Sequence, residues 1–242
     1  MGNRLDDHVQ AYQGLSIYDF DNTIQLKWYP QRIARYSQGA NSLLELGLGH
    51  GITTQVFGQH FKRHVVVDAS PAVIAHFRAQ YPDSKVEIAE SYFETFDTAE
   101  RFDVIIFGYI LEHVDDPVLI LQHFRHLLAP SGRMFVTVPN AEVLNRRLGH
   151  LAGMLPDMQQ LSPHDLLLGH KRYYTVASLR QDIAQAGYRI QRLEGIYLKP
   201  LTTQQMISLN LGEDIIQALC LAAIDYPELS CGILAELALA DD

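Results

Sequence analysis

The sequence predicts an α/β fold built on one doubly wound, largely parallel sheet. Three observations predict it. Short apolar runs alternate with helix-length segments along most of the chain. The first of these runs, Ser42 to Leu46, passes directly into a turn with glycine at positions 47, 49 and 51, and the next, Val65 to Val67, ends in Asp68. Two helix starts are legible at Ser70-Pro71 and Asp116-Pro117, where a capping side chain precedes a proline at the first helical position.

The elements follow in order. A helix around Trp28 to Tyr36 precedes a strand at 42 to 46, which reads as buried on both faces because its apolar run is nearly continuous. The glycine turn lets backbone approach a ligand without Cβ interference and feeds a helix whose first amides point at whatever is bound. A strand at 64 to 68 leads to a helix running to about Gln80, then strands at 85 to 88 and 103 to 108. The helix begun at Asp116-Pro117 runs to about Leu128, and a strand follows at 133 to 138. Residues 141 to 174 form an insert. A helix from Thr175 to Ala186, closed by Gly187, then precedes a strand near 189 to 196. The stretch from Thr202 to Ala240 mixes apolar runs with acids and reads as two or three short helices, forming a cap, a dimer surface or part of the core.

Composition narrows the class of molecule. At 242 residues, 48% hydrophobic and 19% charged, the chain can bury one large core, and no linker-like stretch divides it. No apolar run reaches the ~20 residues of a membrane span. Met1 to Asp7 lacks the basic and apolar regions of a signal peptide, so cytoplasmic residence is expected, with no membrane partner. Cys220 and Cys231 read as reduced core residues rather than as a disulfide or metal pair. A formal charge of −9, with adjacent basic pairs such as Arg146-Arg147 and Lys171-Arg172 few and scattered, argues against nucleic acid as a partner. A small-molecule substrate and a possible homodimer remain.

The glycine spacing decides between two kinds of nucleotide-bearing cofactor. A dinucleotide fingerprint would place its third glycine at 52, where this chain has Ile52. Glu45-x-Gly47-x-Gly49-x-Gly51 instead resembles the first motif of the class I S-adenosylmethionine (SAM)-dependent methyltransferases. The resemblance extends through Phe102 to Gly108, Tyr109 to Val114 and Gly132 to Asn140. Gly169 to Thr175 and the helix after it are similar to what the small-molecule branch, including the ubiquinone-pathway O-methyltransferases, places over its active site.

This resemblance implies a Rossmann-like seven-stranded sheet, with helical additions at both ends, forming a single domain over 1–242. Its parts are an N-terminal helical cap at 1–40, a SAM-binding core at 41–140, a substrate-side insert at 141–174, the end of the sheet at 175–200 and a helical tail at 201–242. It implies SAM as cofactor, with Glu45 helping to hold the cationic methionine end, the three glycines and Asp68 at the turn and ribose, and Ala69 beside them. Glu90 would lie near the adenine, and Gly108, Tyr109 and Ile110 beside the sulfonium or sugar. Trp28, Tyr29 and Arg32 are further candidates to close over the methionine end.

Methyl transfer needs alignment of nucleophile, methyl and sulfur more than it needs chemical groups. A hydroxyl acceptor also needs a base, and histidine suits that near neutrality. His113 and His170 are the two catalytic candidates, with Arg172, Tyr173 and Tyr174 as substrate-binding candidates. Some relatives carry Glu-x-x-Glu-His after the fourth strand and bind a divalent cation there. Here the first position is Tyr109, which leaves Glu112 and His113 and predicts an enzyme without a metal. The nucleobase-amine motif Asn/Asp-Pro-Pro-Tyr/Phe is replaced by Gly108-Tyr109-Ile110-Leu111, which argues against DNA-base methylation; the acceptor atom is expected to be oxygen rather than nitrogen or carbon.

Two other classes compete. Leu15 to Thr23, with Asp19, Asp21 and Thr23 in a D-x-D-x-T pattern, resembles the signature of haloacid-dehalogenase-type phosphatases. The lysine and paired acids such an enzyme needs downstream do not follow in order. A SAM-binding protein without catalysis is the other alternative.

Overall fold

The computed structural model describes residues 16–240, so the expectations drawn from Met1 to Asp7 lie outside the described residues. The sheet has seven strands in the order β3-β2-β1-β4-β5-β7-β6. They are β1 (Ser42–Leu46), β2 (Arg63–Asp68), β3 (Glu87–Glu90), β4 (Phe102–Gly108), β5 (Leu128–Pro139), β6 (Tyr188–Gly195) and β7 (Gly232–Leu239). The first five are parallel where they pair, while β7 runs antiparallel to both β5 and β6.

The helices are α1 (Asp19–Tyr36), α2 (Ile52–Phe57), α3 (Pro71–Gln80), α4 (Pro117–His123), α5 (Leu144–Leu151), α6 (Pro163–Leu167), α7 (Val176–Gln185), α8 (Thr203–Ser208) and α9 (Glu213–Ala223). Strand alternation sorts the core into two layers. Leu44, Leu46, Ile105, Phe107, Met134 and Val136 pack on one face with residues of α4 and α7, including Ile120 and Leu179. Leu43, Val104, Ile106 and Phe135 pack on the other with Tyr29 and Ile33 of α1 and Cys220 of α9.

The capping expectations hold at atomic detail. The Ser70 side chain accepts from the Val73 amide at 3.2 Å, and Asp116 Oδ1 accepts from the Leu119 amide at 2.9 Å. Such caps contribute about 1 kcal/mol each. They also fix where α3 and α4 leave the strand ends that border the cavity described below.

Element bounds shift by a few residues, with β3 at Glu87–Glu90 and α4 ending at His123, and two larger sequence expectations change. The tail from Thr202 to Ala240 is not wholly helical: α8 and α9 are followed by β7, which inserts between β5 and β6 and completes the sheet. Glu236, one of the acids in this stretch, lies within β7, is 2% exposed and is neutralised within the sheet by Arg133 at 2.7 Å and Arg192 at 3.2 Å. The second change is at the D-x-D-x-T pattern. Asp19, Asp21 and Thr23 lie in the first turns of α1, not at a strand end. Asp19 Oδ2 caps the turn by accepting from the Ser16 amide, and Asp21 pairs with Lys199. A helix turns those two carboxylates away from a common point, so the phosphatase reading is withdrawn.

Candidate functional site

The carboxyl ends of β1, β2 and β4 open onto a cavity of about 820 Å³, where a doubly wound sheet reverses its strand order. Gly47, Gly49, Gly51, Asp68, Ala69, Gly108, Tyr109, Ile110, His113, His170 and Tyr173 all line it. The fold thus brings together candidates spread over more than half of the chain.

The glycine turn is built as a cradle. Gly47 has φ +79° and Gly51 φ +72°, a region that side chains disfavour. A Cβ at Gly47 would stand 2.9 Å from Ile110 Cδ1, and one at Gly51 would stand 2.7 Å from both Phe77 and Tyr81. Asp68 locks this turn to the end of β2: Oδ2 accepts from the Leu48 amide and Oδ1 from the Ser70 amide, both at 2.9 Å. Burial raises its carboxyl above the ordinary range, against the opposing pull of those two amides. Each oxygen retains a lone pair for a ligand hydroxyl.

Glu45 occupies a different place from the one the motif implies. It is 2% exposed and does not line the cavity. Its Oε1 accepts from Thr53 at 2.6 Å, its Oε2 from Thr54 at 2.9 Å, and His64 Nε2 stands 2.9 Å from Oε2. Glu45 therefore ties β1 to the start of α2 and acts on the cavity by holding the turn. Glu90 is exposed at the end of the edge strand β3, in register with Asp68 but outside the cavity lining. The reason is a strand that runs two residues further than the sequence predicts.

Across the cavity, the segment after β4 meets the one before α7. The Lys171 amide donates to the Glu112 carbonyl at 2.8 Å, and Arg172 donates to the carbonyls of Leu111 and Val114 at 2.9 and 2.7 Å. Arg172 thus clamps the two segments together instead of lining the cavity, and Tyr174, 1% exposed, donates to Asp182 at 3.0 Å from within the core. The clamp brings the rings of His113 and His170 to a centroid distance of 4.7 Å, nearly perpendicular.

Glu112 lies beside the two imidazoles in the cavity wall, fully buried, with neither carboxyl oxygen meeting a hydrogen-bond partner. Burial pushes its carboxyl up to about 7, with the positive charges of His170 and Arg172 opposing. His170 Nδ1 also stands 3.4 Å from Asp165 Oδ1. Burial alone would raise the Asp165 carboxyl, but the neighbouring His170 imidazole and hydrogen bonds from Ser162 and Tyr173 outweigh it and hold Asp165 well below the usual carboxylate range. Tyr173 donates to Asp165 at 2.7 Å, and the Arg146 guanidinium lies over its ring at 4.7 Å.

Glu112, His113 and His170 bring one ligand-type atom each within 4.8 Å of one another. Sequence reasoning counted the residues after β4 alone and did not place His170 with them. One carboxylate and two imidazoles do not fit magnesium, which takes an octahedral shell of oxygens, and the Tyr109 hydroxyl is already engaged with Gln25 at 2.8 Å. Asp165 was also missed; the signal available was its capping-box spacing from Ser162.

Residues 25–193 match the family model described as a methyltransferase domain. The chain is 28% identical over 173 residues to the ubiquinone biosynthesis O-methyltransferase of Parvibaculum lavamentivorans, covering 68% of this chain and 65% of that relative. It is 25% identical over 199 residues to the enzyme of the same name from Aeromonas salmonicida, covering 78% and 79%. In three dimensions it is similar to a SAM-dependent methyltransferase from Thermotoga maritima described as a possible histamine N-methyltransferase, with TM-score 0.66, 15% identity and 97% of each chain covered. It is similar also to the N-methyltransferase NodS from Bradyrhizobium japonicum in complex with S-adenosylhomocysteine, with TM-score 0.58, 14% identity and coverage of 96% and 91%.

Proposed function

The chain belongs to the SAM-dependent methyltransferase family, and from that premise we propose that it transfers the methyl group to a hydroxyl of a small molecule, without a metal. One observation carries the acceptor half of this reading: two histidines, backed by a buried acid, meet on the wall of the same cavity that the glycine cradle and Asp68 line.

The residues divide the work as follows. Gly47, Gly49 and Gly51 let the backbone close on the cofactor, and Asp68 accepts from its ribose hydroxyls, with Ala69, Gly108 and Tyr109 beside it. When bound, the cofactor supplies a methyl group on a sulfonium, a good leaving group, so alignment is the main demand on the protein. His113 or His170 accepts the acceptor hydroxyl's proton. Asp165 offsets the positive charge that this creates on His170, and Tyr173 and Arg146 shape the wall next to it.

We read residues 1–242 as one domain, with 141–174 as the acceptor-side insert. Among the described residues no helix is long and apolar enough to cross a membrane. Cytoplasmic residence accompanies this reading, with Cys220 and Cys231 as thiols that burial pushes up to about 12 and about 11. So does a homodimer with no nucleic-acid partner.

The test is turnover: SAM, the purified protein and a panel of phenols, alcohols and amines, read as S-adenosylhomocysteine formed. Product with hydroxylated members supports the reading. Product with amines alone replaces oxygen by nitrogen, and cofactor binding with no product from any member favours the non-catalytic alternative.

A further inference from the structure

The cavity has a second polar cluster, on elements other than those that carry the histidines. Asp21 of α1 is 3% exposed, Lys199 after β6 is 7% exposed and Thr203 of α8 is 3% exposed, and all three line the cavity. Lys199 Nζ and Thr203 Oγ1 both donate to Asp21 Oδ2 at 2.5 Å, and Lys199 also donates to Thr203 at 2.7 Å. Asp21 Oδ1 is buried and has no hydrogen-bond partner.

This arrangement is half-built. A buried carboxylate oxygen without a donor is destabilising, and a fold with no use for Oδ1 would lose little by replacing the pair with apolar residues. The pair also selects what completes it. Lys199 already neutralises Asp21, so a second ammonium brought to Oδ1 would face Lys199 with little net attraction, whereas a neutral hydroxyl adds a charge-assisted hydrogen bond without that repulsion. The cavity lining on this side also carries apolar residues, Ile17, Leu26 and Val143, among polar ones such as Asn22, Gln25 and Asn145.

We propose that Asp21 Oδ1 is an acceptor-recognition site, held in place by Lys199 and Thr203, that takes a hydrogen bond from a hydroxyl of the substrate other than the one methylated. The substrate class is then an amphipathic molecule with at least two hydroxyls, one facing His113 and His170 and one facing Asp21. The inference rests on the hydroxyl-methylating reading above and deepens it. It also gives a role to an acid whose sequence pattern pointed elsewhere.

The experiment uses catechol, resorcinol and hydroquinone, with phenol as the single-hydroxyl control. Each is titrated against protein saturated with S-adenosylhomocysteine, and each is assayed for turnover with SAM. The wild type is expected to bind at least one diol tenfold or more tightly than phenol. Asp21→Asn and the paired variant Asp21→Leu/Lys199→Met, which removes both charges and guards against a misfolded single variant, are expected to abolish that preference while leaving S-adenosylhomocysteine affinity within twofold. Equal binding of diols and phenol, no binding of either, or a diol preference that survives in both folded variants overturns the site. Loss of cofactor affinity in both variants assigns Asp21 to the cofactor and also overturns it. Failure of the parent reading looks different: methylation of aniline with none of the hydroxylated probes.

Discussion

The imidazoles of His113 and His170 meet edge to face at 4.7 Å although one follows β4 and the other lies near the end of the 141–174 insert, just before α7. The contact depends on the Lys171 amide and the Arg172 guanidinium, which bond to carbonyls of the segment carrying His113. If one of these rings is the proton acceptor, its removal lowers turnover without disturbing the cofactor side. His170→Ala and His113→Ala are each expected to change S-adenosylhomocysteine affinity less than twofold, and at least one should lower kcat by about 10²–10⁴-fold. Steady-state kinetics with calorimetric titration checks both halves, and full turnover in both variants would remove the histidines from the chemistry.

Asp68 gives the cofactor prediction. Its two oxygens fasten the glycine turn to β2 and offer their remaining lone pairs to the cavity. Asp68→Ala is expected to weaken SAM and S-adenosylhomocysteine at least tenfold, about 1.4 kcal/mol. Unchanged affinity for both would mean that the ribose lies elsewhere.

Glu112 supplies a pH dependence whose sign runs opposite to that of an ordinary ion-paired carboxylate. Burial lifts it from its ordinary 4.5 to about 7. Between these values the folded protein holds a proton that the unfolded chain has released, so stability falls as pH rises across this window, by up to about 3 kcal/mol above pH 7. Glu112→Gln cannot ionise. Its Tm should match the wild type near pH 4.5 and exceed it by several degrees at pH 8. Parallel melting curves across that range would show that Glu112 titrates normally.

Much of this was legible in the sequence, for physical reasons that also explain the misses. Strands β1, β2 and β4 are buried on both faces, so their apolar runs were short, continuous and unambiguous. Strand β7 is buried too, but Glu236 interrupts it, and only the fold reveals that Arg133 and Arg192 satisfy that acid. The cradle glycines were legible because positive φ selects for glycine. Motif position placed Glu45 in the site but could not show that Thr53, Thr54 and His64 occupy both its oxygens. Asp21 and Lys199 lie far apart in sequence, and no local pattern connects them.

Glu45 carries a stability prediction that separates support from contact. Glu45→Ala leaves His64 and two threonine hydroxyls facing a buried void at the start of α2. Breaking a buried, hydrogen-bonded charge in this way costs about 3 kcal/mol. Chemical denaturation should show that loss, and cofactor affinity should fall with it because the glycine turn loses its anchor. A Glu45→Ala protein of wild-type stability with weakened cofactor binding would instead mean that Glu45 touches the ligand directly.

The last prediction concerns metal. The cation-binding pattern Glu-x-x-Glu-His that the resemblance brings into question would need a carboxylate where this chain has Tyr109, whose φ of +58° and hydrogen bond to Gln25 commit it to the backbone turn and the wall of α1. That leaves one carboxylate beside two imidazoles, a set poor in oxygens for a hard ion. Turnover should therefore survive excess chelator, with addition of magnesium changing the rate less than twofold. Abolition by chelator with recovery on manganese or cobalt but not magnesium would seat a softer divalent ion on Glu112, His113 and His170, since nitrogen-rich sites favour such ions. In that case Glu112→Gln should lose metal affinity and activity together, whereas in a metal-free enzyme it changes the pH dependence of stability and leaves the chelator result as it was.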